Sequence, residues 1–260
     1  MFIDVHCHLT GGEYEEVGGV AQVLARAKEQ GVARVICSGY DLHSSNQAKD
    51  LAEKYEEVYF CAGFHPSELH CFQEGDLEKI KALCAHEKCV AVGEIGLDYH
   101  FEDNPERDFQ KRLFIEQLTL AHETGLPVVI HSRDAAQDTL EILKANKHLL
   151  SRGLMHCYSY SPEMAEEFLK LNLSFSFGGP ATFKNAKKVW ESVQHIPAPS
   201  ILSETDCPYL TPVPFRGVFP NEPKHIPVIV EKLAFLKGIS QEEMKTQIFN
   251  NAKKLFFKLR

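Results

Sequence analysis

The sequence predicts an α/β fold, a (β/α)8 TIM barrel that forms a single domain over residues 1–260 with a C-terminal helical addition. Short apolar, β-branched runs recur at intervals of about 25 to 35 residues, and each precedes a longer segment with helical periodicity. Eight such units without a low-complexity linker favour a closed barrel over an open, doubly wound sheet. The first turn, His6-Cys7-His8-Leu9-Thr10-Gly11-Gly12, also lacks the GxGxxG spacing of a Rossmann sheet.

The predicted strands are apolar runs, as expected for parallel strands that are buried on both faces. In chain order they cover residues 2–8, 33–39, 59–64, 89–96, 127–132, 153–158, 173–179 and 200–206.

The predicted helices lie between these strands and show apolar residues at three- and four-residue steps. In residues 106–123, for example, Phe109, Leu113 and Leu120 form one apolar row, and Gly125-Leu126-Pro127 ends the helix. The intervening helices cover residues 20–30, 44–55, 76–86, 106–123, 135–147, 162–171 and 184–194. Residues 226–236 and 241–258 are the predicted eighth helix and C-terminal addition.

Composition excludes several classes of protein. Hydrophobic residues make up 44% of the chain and charged residues 25%, which is typical of globular domains and excludes a disordered, collagen-like or coiled-coil chain. The formal net charge of −8 excludes a global positive field for duplex DNA or an anionic membrane. No apolar run approaches the roughly 18 residues of a membrane span, and Asp4 interrupts the N-terminus before a signal-peptide core can form. We therefore expect a cytoplasmic protein with no membrane partner.

Cysteine usage supports the same expectation. The chain has 8 cysteines and no CxxC pair, and most of them fall inside the predicted strands. Reduced, buried thiols that act as small hydrophobic side chains are favoured over disulfides.

Polar, metal-binding side chains interrupt the predicted strands at one end. An imidazole or carboxylate inside a sheet costs several kcal/mol unless it is paired or ligated. A single histidine in a strand is more often a hydrogen-bonded core residue than a ligand. Here, however, the exceptions share the carboxyl end of their strands, the rim where barrel enzymes build active sites. The residues are His6, His8, Glu94, His131, His156 and Asp206.

These residue types predict a metal centre. His6 and His8 are two positions apart, so their imidazoles point to the same side of a strand. Mixed imidazole and carboxylate ligands suit Zn²⁺, Mn²⁺ or similar ions. Four histidines and two carboxylates exceed the needs of one tetrahedral ion, which favours two ions about 3.5–4 Å apart. Glu94 is the expected bridge because it comes from a middle strand.

The sequence resembles the TatD family of metal-dependent deoxyribonucleases, within the amidohydrolase-like barrel superfamily. The resemblance runs nearly end to end and rests on the order and spacing of six motifs. These are Asp4-Val5-His6-Cys7-His8-Leu9, Gly63-Phe64-His65-Pro66, Gly93-Glu94-Ile95-Gly96-Leu97-Asp98-Tyr99, Pro127-Val128-Val129-Ile130-His131-Ser132-Arg133-Asp134-Ala135, His156-Cys157-Tyr158-Ser159 and Glu204-Thr205-Asp206-Cys207-Pro208-Tyr209-Leu210.

The resemblance implies a two-metal phosphodiesterase that cleaves DNA, at single strands or ends, with a water activated by two divalent ions (Mg²⁺, Mn²⁺, Zn²⁺ or similar). One ion would be held by His6, His8, Glu94 and Asp206, and the other by Glu94, His131 and His156. DNA is the expected substrate partner, and no obligatory protein partner is expected. Glu94 and Asp206 are the expected catalytic residues, with Asp206 orienting or deprotonating the attacking water.

Other residues of the motifs have expected supporting roles. His65 matches a family position that contacts the substrate phosphate. Arg133 either forks onto phosphate oxygens or forms a salt bridge to Asp134 or to a neighbouring loop. Glu204 is expected one step deeper on the same strand face as Asp206, where it holds that residue or a ligand imidazole. Asp98 is either a loop cap or a catalytic residue.

The sequence departs from the family pattern at two places, and two alternative functions are also considered. The chain reads Cys157-Tyr158-Ser159-Tyr160 where relatives often have Cys-Phe-Ser-Gly, and Val218 stands where they often carry a basic residue. Tyr209, Phe215 and Phe219 either stack on bases or pack the loop over residues 208–224.

The alternative enzyme is an amidohydrolase acting on a small-molecule ester or amide, since the fold alone does not separate a deoxyribonuclease from an amidohydrolase. The other alternative is a metal-binding scaffold for protein interaction.

Overall fold

A computed structural model describes all residues, Met1 to Arg260, and contains eight parallel β-strands with helices between them. The strands follow one another in the sheet in the order β1 to β8. The predicted (β/α)8 barrel is therefore confirmed. The strands are β1 (Phe2–Cys7), β2 (Val32–Ser38), β3 (Val58–Ala62), β4 (Cys89–Asp98), β5 (Val128–Arg133), β6 (Gly153–Met155), β7 (Leu173–Phe177) and β8 (Ile201–Ser203).

The α-helices follow the predicted order, and six short 3-10 helices are added in the connections. None of the helices combines the length and the hydropathy that a membrane span requires. The α-helices are α1 (Gly19–Glu29), α2 (Leu42–Lys54), α3 (Asp76–Cys84), α4 (Arg107–Thr124), α5 (Ala136–Ala145), α6 (Pro162–Leu169), α7 (Lys187–His195), α8 (Ile226–Lys237) and α9 (Gln241–Leu255).

All strand ends lie within three residues of their predicted positions, and the differences at β4, β6 and β8 affect candidate site residues. β4 runs two residues past Gly96 and ends at Asp98, because β4 stays paired with β5 up to Arg133. β6 and β8 are shorter than predicted and end at Met155 and Ser203. The polar residues that follow these two short strands therefore lie on connecting segments, where the strand alternation used to orient them no longer applies.

Contacts group the chain into two compact units. The first unit comprises Met1–Cys37, Cys157–Glu166 and Phe175–Lys254. Within it the first and last strands are neighbours. The Asp206 N–H donates to the His6 carbonyl (3.0 Å), and the His8 N–H donates to the Cys207 carbonyl (2.8 Å). These bonds fix the segment after β8 beside the end of β1.

The second unit comprises Ser38–His156, Glu167–Ser174 and Leu255–Arg260. Its central feature is the pairing of β4 with β5, in which Gly96 lies opposite His131. A Cβ atom at Gly96 would stand 2.0 Å from the His131 carbonyl oxygen, and Gly96 has a φ of +141°. Glycine is required at this position so that the two backbones approach each other beside His131.

Helix α4 fixes the segment after β3 and the end of β4 through two buried glutamines. Gln117 accepts a hydrogen bond from the Phe64 N–H (2.7 Å) and donates to the Phe64 carbonyl (3.1 Å). Gln110 does the same for Asp98, at 2.9 and 3.0 Å. A two-turn spacing on one helix thus positions the residue before His65 and the last residue of β4.

Replacing Gln117 with leucine is expected to lower the free energy of unfolding by about 1–3 kcal/mol, because both backbone groups of Phe64 lose their partner in a buried setting. Chemical denaturation of the purified variant measures this change. Gln137→Leu, at an exposed position of α5, is the matched control and is expected to leave the midpoint unchanged. Equal midpoints for the two variants would contradict the positioning role of Gln117.

Candidate metal centre

The first unit brings together three of the predicted ligands, His6, His8 and Asp206, here called the His6 cluster. The Nε2 atoms of His6 and His8 are 3.2 Å apart, and their rings are nearly perpendicular. Asp206 Oδ1 lies 3.7 Å from His6 Nε2 and 3.5 Å from His8 Nε2. The His6 side chain is fully buried, whereas those of His8 and Asp206 are 15% and 17% exposed, so solvent reaches one side of the cluster.

A buried carboxylate that the sequence analysis missed supports the His6 cluster. Asp4 is fully buried in β1 and accepts hydrogen bonds from the Thr205 N–H (3.0 Å), the Thr205 hydroxyl (2.5 Å) and the His6 N–H (3.3 Å). Burial raises the pKa of Asp4 well above its ordinary value, although these hydrogen bonds oppose the shift. Asp4 therefore ties β1 to the residue before Asp206. An acidic residue inside an apolar strand was the available signal.

Asp206 has a left-handed backbone, with a φ of +52°. Aspartate and asparagine tolerate this region better than most residues because of their short polar side chains. The predicted strand over residues 200–206 is wrong in its last three positions, and Asp206 lies in the connection that follows. The turn is fixed by the bond to His6 and by the Tyr209 N–H, which donates to the Asp206 carbonyl (3.1 Å).

The second unit gathers the other predicted ligands around one carboxylate, here called the Glu94 cluster. Glu94 Oε1 lies 2.7 Å from His156 Nε2, 3.0 Å from His131 Nδ1 and 3.4 Å from His65 Nε2. The Glu94 side chain is only 3% exposed. An ionised carboxylate at this depth needs positive charge or hydrogen bonds nearby, and the imidazoles surround it.

Asp98 orients the His131 ring. Its Oδ2 atom lies 2.9 Å from His131 Nε2, and its Oδ1 atom accepts hydrogen bonds from the His100 N–H (2.9 Å) and from Asn104 Nδ2 (3.1 Å). Burial raises the pKa of Asp98, but the hydrogen bonds from His131 and His100 outweigh it, so the pKa lies below its ordinary value. Asp98 is thus a carboxylate that accepts a hydrogen bond from the Nε2–H group of His131. The Nδ1 atom of His131 then faces Glu94 and His156.

The pKa of His131 lies above its ordinary value. Burial alone lowers it, and the hydrogen bonds to Asp98 and Glu94 reverse the direction. A histidine that ligates a metal commonly donates its second ring N–H to a carboxylate, which fixes the tautomer. The sequence predicts that Asp98 is either a loop cap or a catalytic residue. Its contacts show both a cap to the His100 backbone and a direct bond to a predicted ligand.

The donor atoms of both clusters fit a divalent metal. Two nitrogens that bind one ion tetrahedrally, at about 2.0–2.1 Å each, stand about 3.3 Å apart. The Nε2 atoms of His6 and His8 are 3.2 Å apart, and His131 Nδ1 is 3.2 Å from His156 Nε2. Each pair also has a carboxylate oxygen beside it. The Glu94, His131 and His156 donor atoms all lie within 4.8 Å of one another.

The remaining predicted residues occupy different surroundings. His65 belongs to the Glu94 cluster, and its Nδ1 atom accepts from the Ser67 N–H (3.2 Å), which turns Nε2 towards Glu94. Arg133 is exposed at the end of β5, with its guanidinium 4.9 Å from the Phe101 ring centre. The suggested partner of Arg133, Asp134, pairs with His100 at 2.8 Å.

Glu204 is fully buried and lies just beyond β8, so the predicted shared strand face with Asp206 is wrong. Its Oε1 atom accepts from the Cys157 N–H (2.7 Å), and its Oε2 atom accepts from the Ser176 hydroxyl (2.5 Å). Because Cys157 directly follows His156 in the chain, Glu204 fixes the backbone next to a predicted ligand.

A family model described as TatD related DNase matches residues 3–257. The chain belongs to the TatD family of metal-dependent hydrolases. Among curated TatD relatives, the uncharacterized metal-dependent hydrolase YabD of Bacillus subtilis is 44% identical over 256 residues, which cover 98% of this chain and 99% of YabD. The uncharacterized metal-dependent hydrolase YcfH of Escherichia coli K12 is 36% identical over 258 residues, covering 98% of this chain and 96% of YcfH.

A solved structure of a TatD homologue supports the fold directly. YjjV of Escherichia coli K12 superposes with a TM-score of 0.91 at 31% identity, covering 98% of each chain. The TatD family relationship thus extends over the whole barrel, including both clusters of candidate ligands.

Replacing Asp98 with asparagine is expected to weaken metal binding and metal-dependent activity by about 10–100-fold, because His131 loses the carboxylate that fixes its tautomer. Metal titration of the purified variant measures the affinity. Asparagine retains an oxygen that accepts from the His100 N–H, so the local backbone is preserved. Asp103→Asn, at an exposed position nearby, is the control, and an Asp98→Asn affinity equal to that of this control would contradict the role assigned to Asp98.

Proposed function

We propose that this TatD-family chain hydrolyses phosphodiester bonds of DNA, at single strands or strand ends, with two divalent ions such as Mg²⁺, Mn²⁺ or Zn²⁺. One observation carries the proposal. Each of two clusters pairs imidazole nitrogens 3.2 Å apart and sets a carboxylate oxygen beside them. The match to a model described as TatD related DNase supports DNA as the substrate.

The proposed ligand sets divide the six residues between two ions. His6, His8 and Asp206 would hold one ion, and His131 and His156 would hold the other, with Glu94 shared by both. The His6 cluster supplies three donors, the number that a catalytic tetrahedral ion takes from the protein when its fourth position is open to water or substrate. The surroundings of Glu94 Oε1 support the second set, because His131 and His156 both lie within 3.0 Å of it.

Bound divalent cations would supply Lewis-acid stabilisation of the phosphate oxygens and lower the pKa of a water nucleophile. The protein residues have separate tasks. The Asp206 carboxylate, at the partly exposed side of the His6 cluster, would orient the attacking water and accept its proton. His65 would donate from Nε2 to a phosphate oxygen, and exposed Arg133 would attract the phosphate backbone. The cysteines form no disulfide and six of them are buried, which supports a cytoplasmic setting for this activity.

The test is a hydrolysis assay with purified protein. End-labelled single-stranded and duplex DNA are incubated with added divalent metal, with and without chelator, and an ester and a cyclic amide are assayed in parallel. We expect chelator-sensitive release of nucleotides, faster from single strands or ends than from internal duplex sites. Turnover of only the ester or the amide would contradict the proposal and favour the amidohydrolase alternative. No turnover by metal-loaded protein would favour the binding scaffold.

A further inference from the structure

The loop between Cys207 and Glu222 exposes aromatic rings next to a proposed catalytic residue. Tyr209 is 57% exposed and Phe219 is 59% exposed, and Phe215 is 42% exposed. Large apolar side chains that cluster in solvent commonly mark a binding surface. The alternative considered from the sequence, that these aromatics pack the loop down, does not describe Tyr209 and Phe219.

Other residues hold this loop in place. The buried Asn221 side chain donates to the carbonyls of Thr205 (3.0 Å) and Tyr209 (2.7 Å). The Thr211 hydroxyl donates to the Val218 carbonyl at 2.6 Å, which closes the tip. The loop is therefore anchored by polar contacts to its own backbone, so Tyr209 and Phe219 are not needed as its core.

The two exposed rings form one surface. The centres of the Tyr209 and Phe219 rings are 6.3 Å apart, at an interplanar angle of 41°. The Tyr209 N–H donates to the Asp206 carbonyl, so this ring pair begins three residues after the proposed general base. The ring pair therefore follows the last residue of the His6 cluster, Asp206, in the chain.

Positive charge accompanies the ring pair. The Arg216 guanidinium lies in the same loop, 4.2 Å from the ring centre of Phe183. Phe183 is followed by Lys184, and both basic side chains are exposed. In a chain with a net charge of −8, these two exposed cations, one of them in the loop that carries both rings, provide local complementarity to a polyanion that carries flat apolar groups.

We propose that Tyr209 and Phe219 form a stacking platform for unpaired nucleobases of a DNA strand, with Arg216 and Lys184 facing its phosphates. The inference rests on the proposed function and narrows it, since bases within a duplex cannot present their faces to a ring. Aromatic stacking is tolerant of sequence because every base has a π-face. The platform therefore predicts selectivity for single-stranded over duplex substrate without strong base preference.

Binding of two strands of equal length and charge tests the platform. Metal-loaded protein is titrated against labelled oligothymidylate and against an abasic strand, both with phosphorothioate linkages to slow cleavage, and fluorescence anisotropy gives Kd. We expect Tyr209→Ala and Phe219→Ala each to raise the Kd for oligothymidylate about 5- to 100-fold. The Kd for the abasic strand should not change. Tyr209→Phe, which keeps the ring, should bind as the unmodified protein does.

Two controls separate stacking from general apolar contact. Phe219→Leu keeps an apolar side chain without a ring and should behave like Phe219→Ala. Phe235→Ala removes a 76% exposed ring on α8, which is not part of the loop, and should leave both Kd values unchanged. Equal affinity of the unmodified protein for the two strands would overturn the platform, as would ring variants that match Phe235→Ala. A change of oligomeric state on Tyr209→Ala/Phe219→Ala, measured by sedimentation, would instead assign the surface to contacts between copies.

Failure of the platform and failure of the hydrolase give different results. Cleavage of an ordinary phosphodiester oligothymidylate is followed in parallel. Metal-dependent cleavage that is insensitive to the ring variants would overturn the platform and leave the hydrolase. Ring-dependent binding without any cleavage would support the platform as a strand-binding surface and overturn the proposed hydrolysis.

Discussion

Glu94→Gln is expected to reduce metal-dependent hydrolysis at least about 100-fold, because loss of a direct ligand should cost at least as much as loss of a ligand's hydrogen-bonding partner, which costs about 10–100-fold. The reason is the position of one oxygen. Glu94 Oε1 lies within 3.4 Å of nitrogens from His65, His131 and His156. Glutamine has nearly the same shape but no negative charge, and its amide N–H groups cannot bind a cation. The substitution therefore removes the charge without removing side-chain volume.

The measurement is kcat/KM on labelled single-stranded DNA together with the metal content of the purified variant. Glu78→Gln, at an exposed position of α3, is the matched control. Thermal unfolding of metal-free samples checks that the barrel remains folded. A Glu94→Gln variant that keeps the activity and metal content of Glu78→Gln would show that Glu94 is not a ligand.

Asp206→Asn is expected to lower kcat by about 10²- to 10⁴-fold, which is the range for loss of a positioned general base. The substitution suits the backbone, since asparagine also adopts the left-handed conformation found at Asp206. An alanine at this position would add backbone strain and confuse the result. Because Asp206 is also a proposed ligand, the assay is repeated over a range of metal concentrations to separate weaker binding from slower chemistry.

The same structure offers a close control for this prediction. Asp134 also has a positive φ, +51°, but lies exposed and pairs with His100. Asp134→Asn makes the same chemical change in the same backbone conformation without affecting Asp206. If both variants retain full kcat at saturating metal, then Asp206 neither orients nor deprotonates the attacking water.

The order of strands and helices could be predicted from the sequence because buried parallel strands are apolar and the helices between them are amphipathic. The ligand candidates could be found by the converse argument, since polar residues such as His6 and His131 interrupt these runs. The structure places three of the six together in the His6 cluster and three in the Glu94 cluster.

Features that depend on register and on connections could not be predicted. Asp98 contacts His131 because β4 continues to Asp98 and stays in register with β5 to Arg133, and periodicity alone does not fix where a strand ends. Asp206 takes a left-handed turn after an unexpectedly short β8, so strand alternation misplaced Glu204 relative to it. The exposure of Tyr209 and Phe219 depends on the conformation of their loop, whose hydrogen bonds, such as that from Asn221 to the Tyr209 carbonyl, join residues distant in sequence.

Metal stoichiometry tests the two-ion assignment. Purified protein is stripped with chelator, titrated with Mn²⁺ or Zn²⁺ by calorimetry, and checked by elemental analysis after removal of free metal. We expect two divalent ions per chain, with parallel recovery of DNA hydrolysis. Binding of a single ion or none, in protein that nevertheless cleaves DNA, would contradict a mechanism in which His6, His8, Asp206, Glu94, His131 and His156 hold two ions.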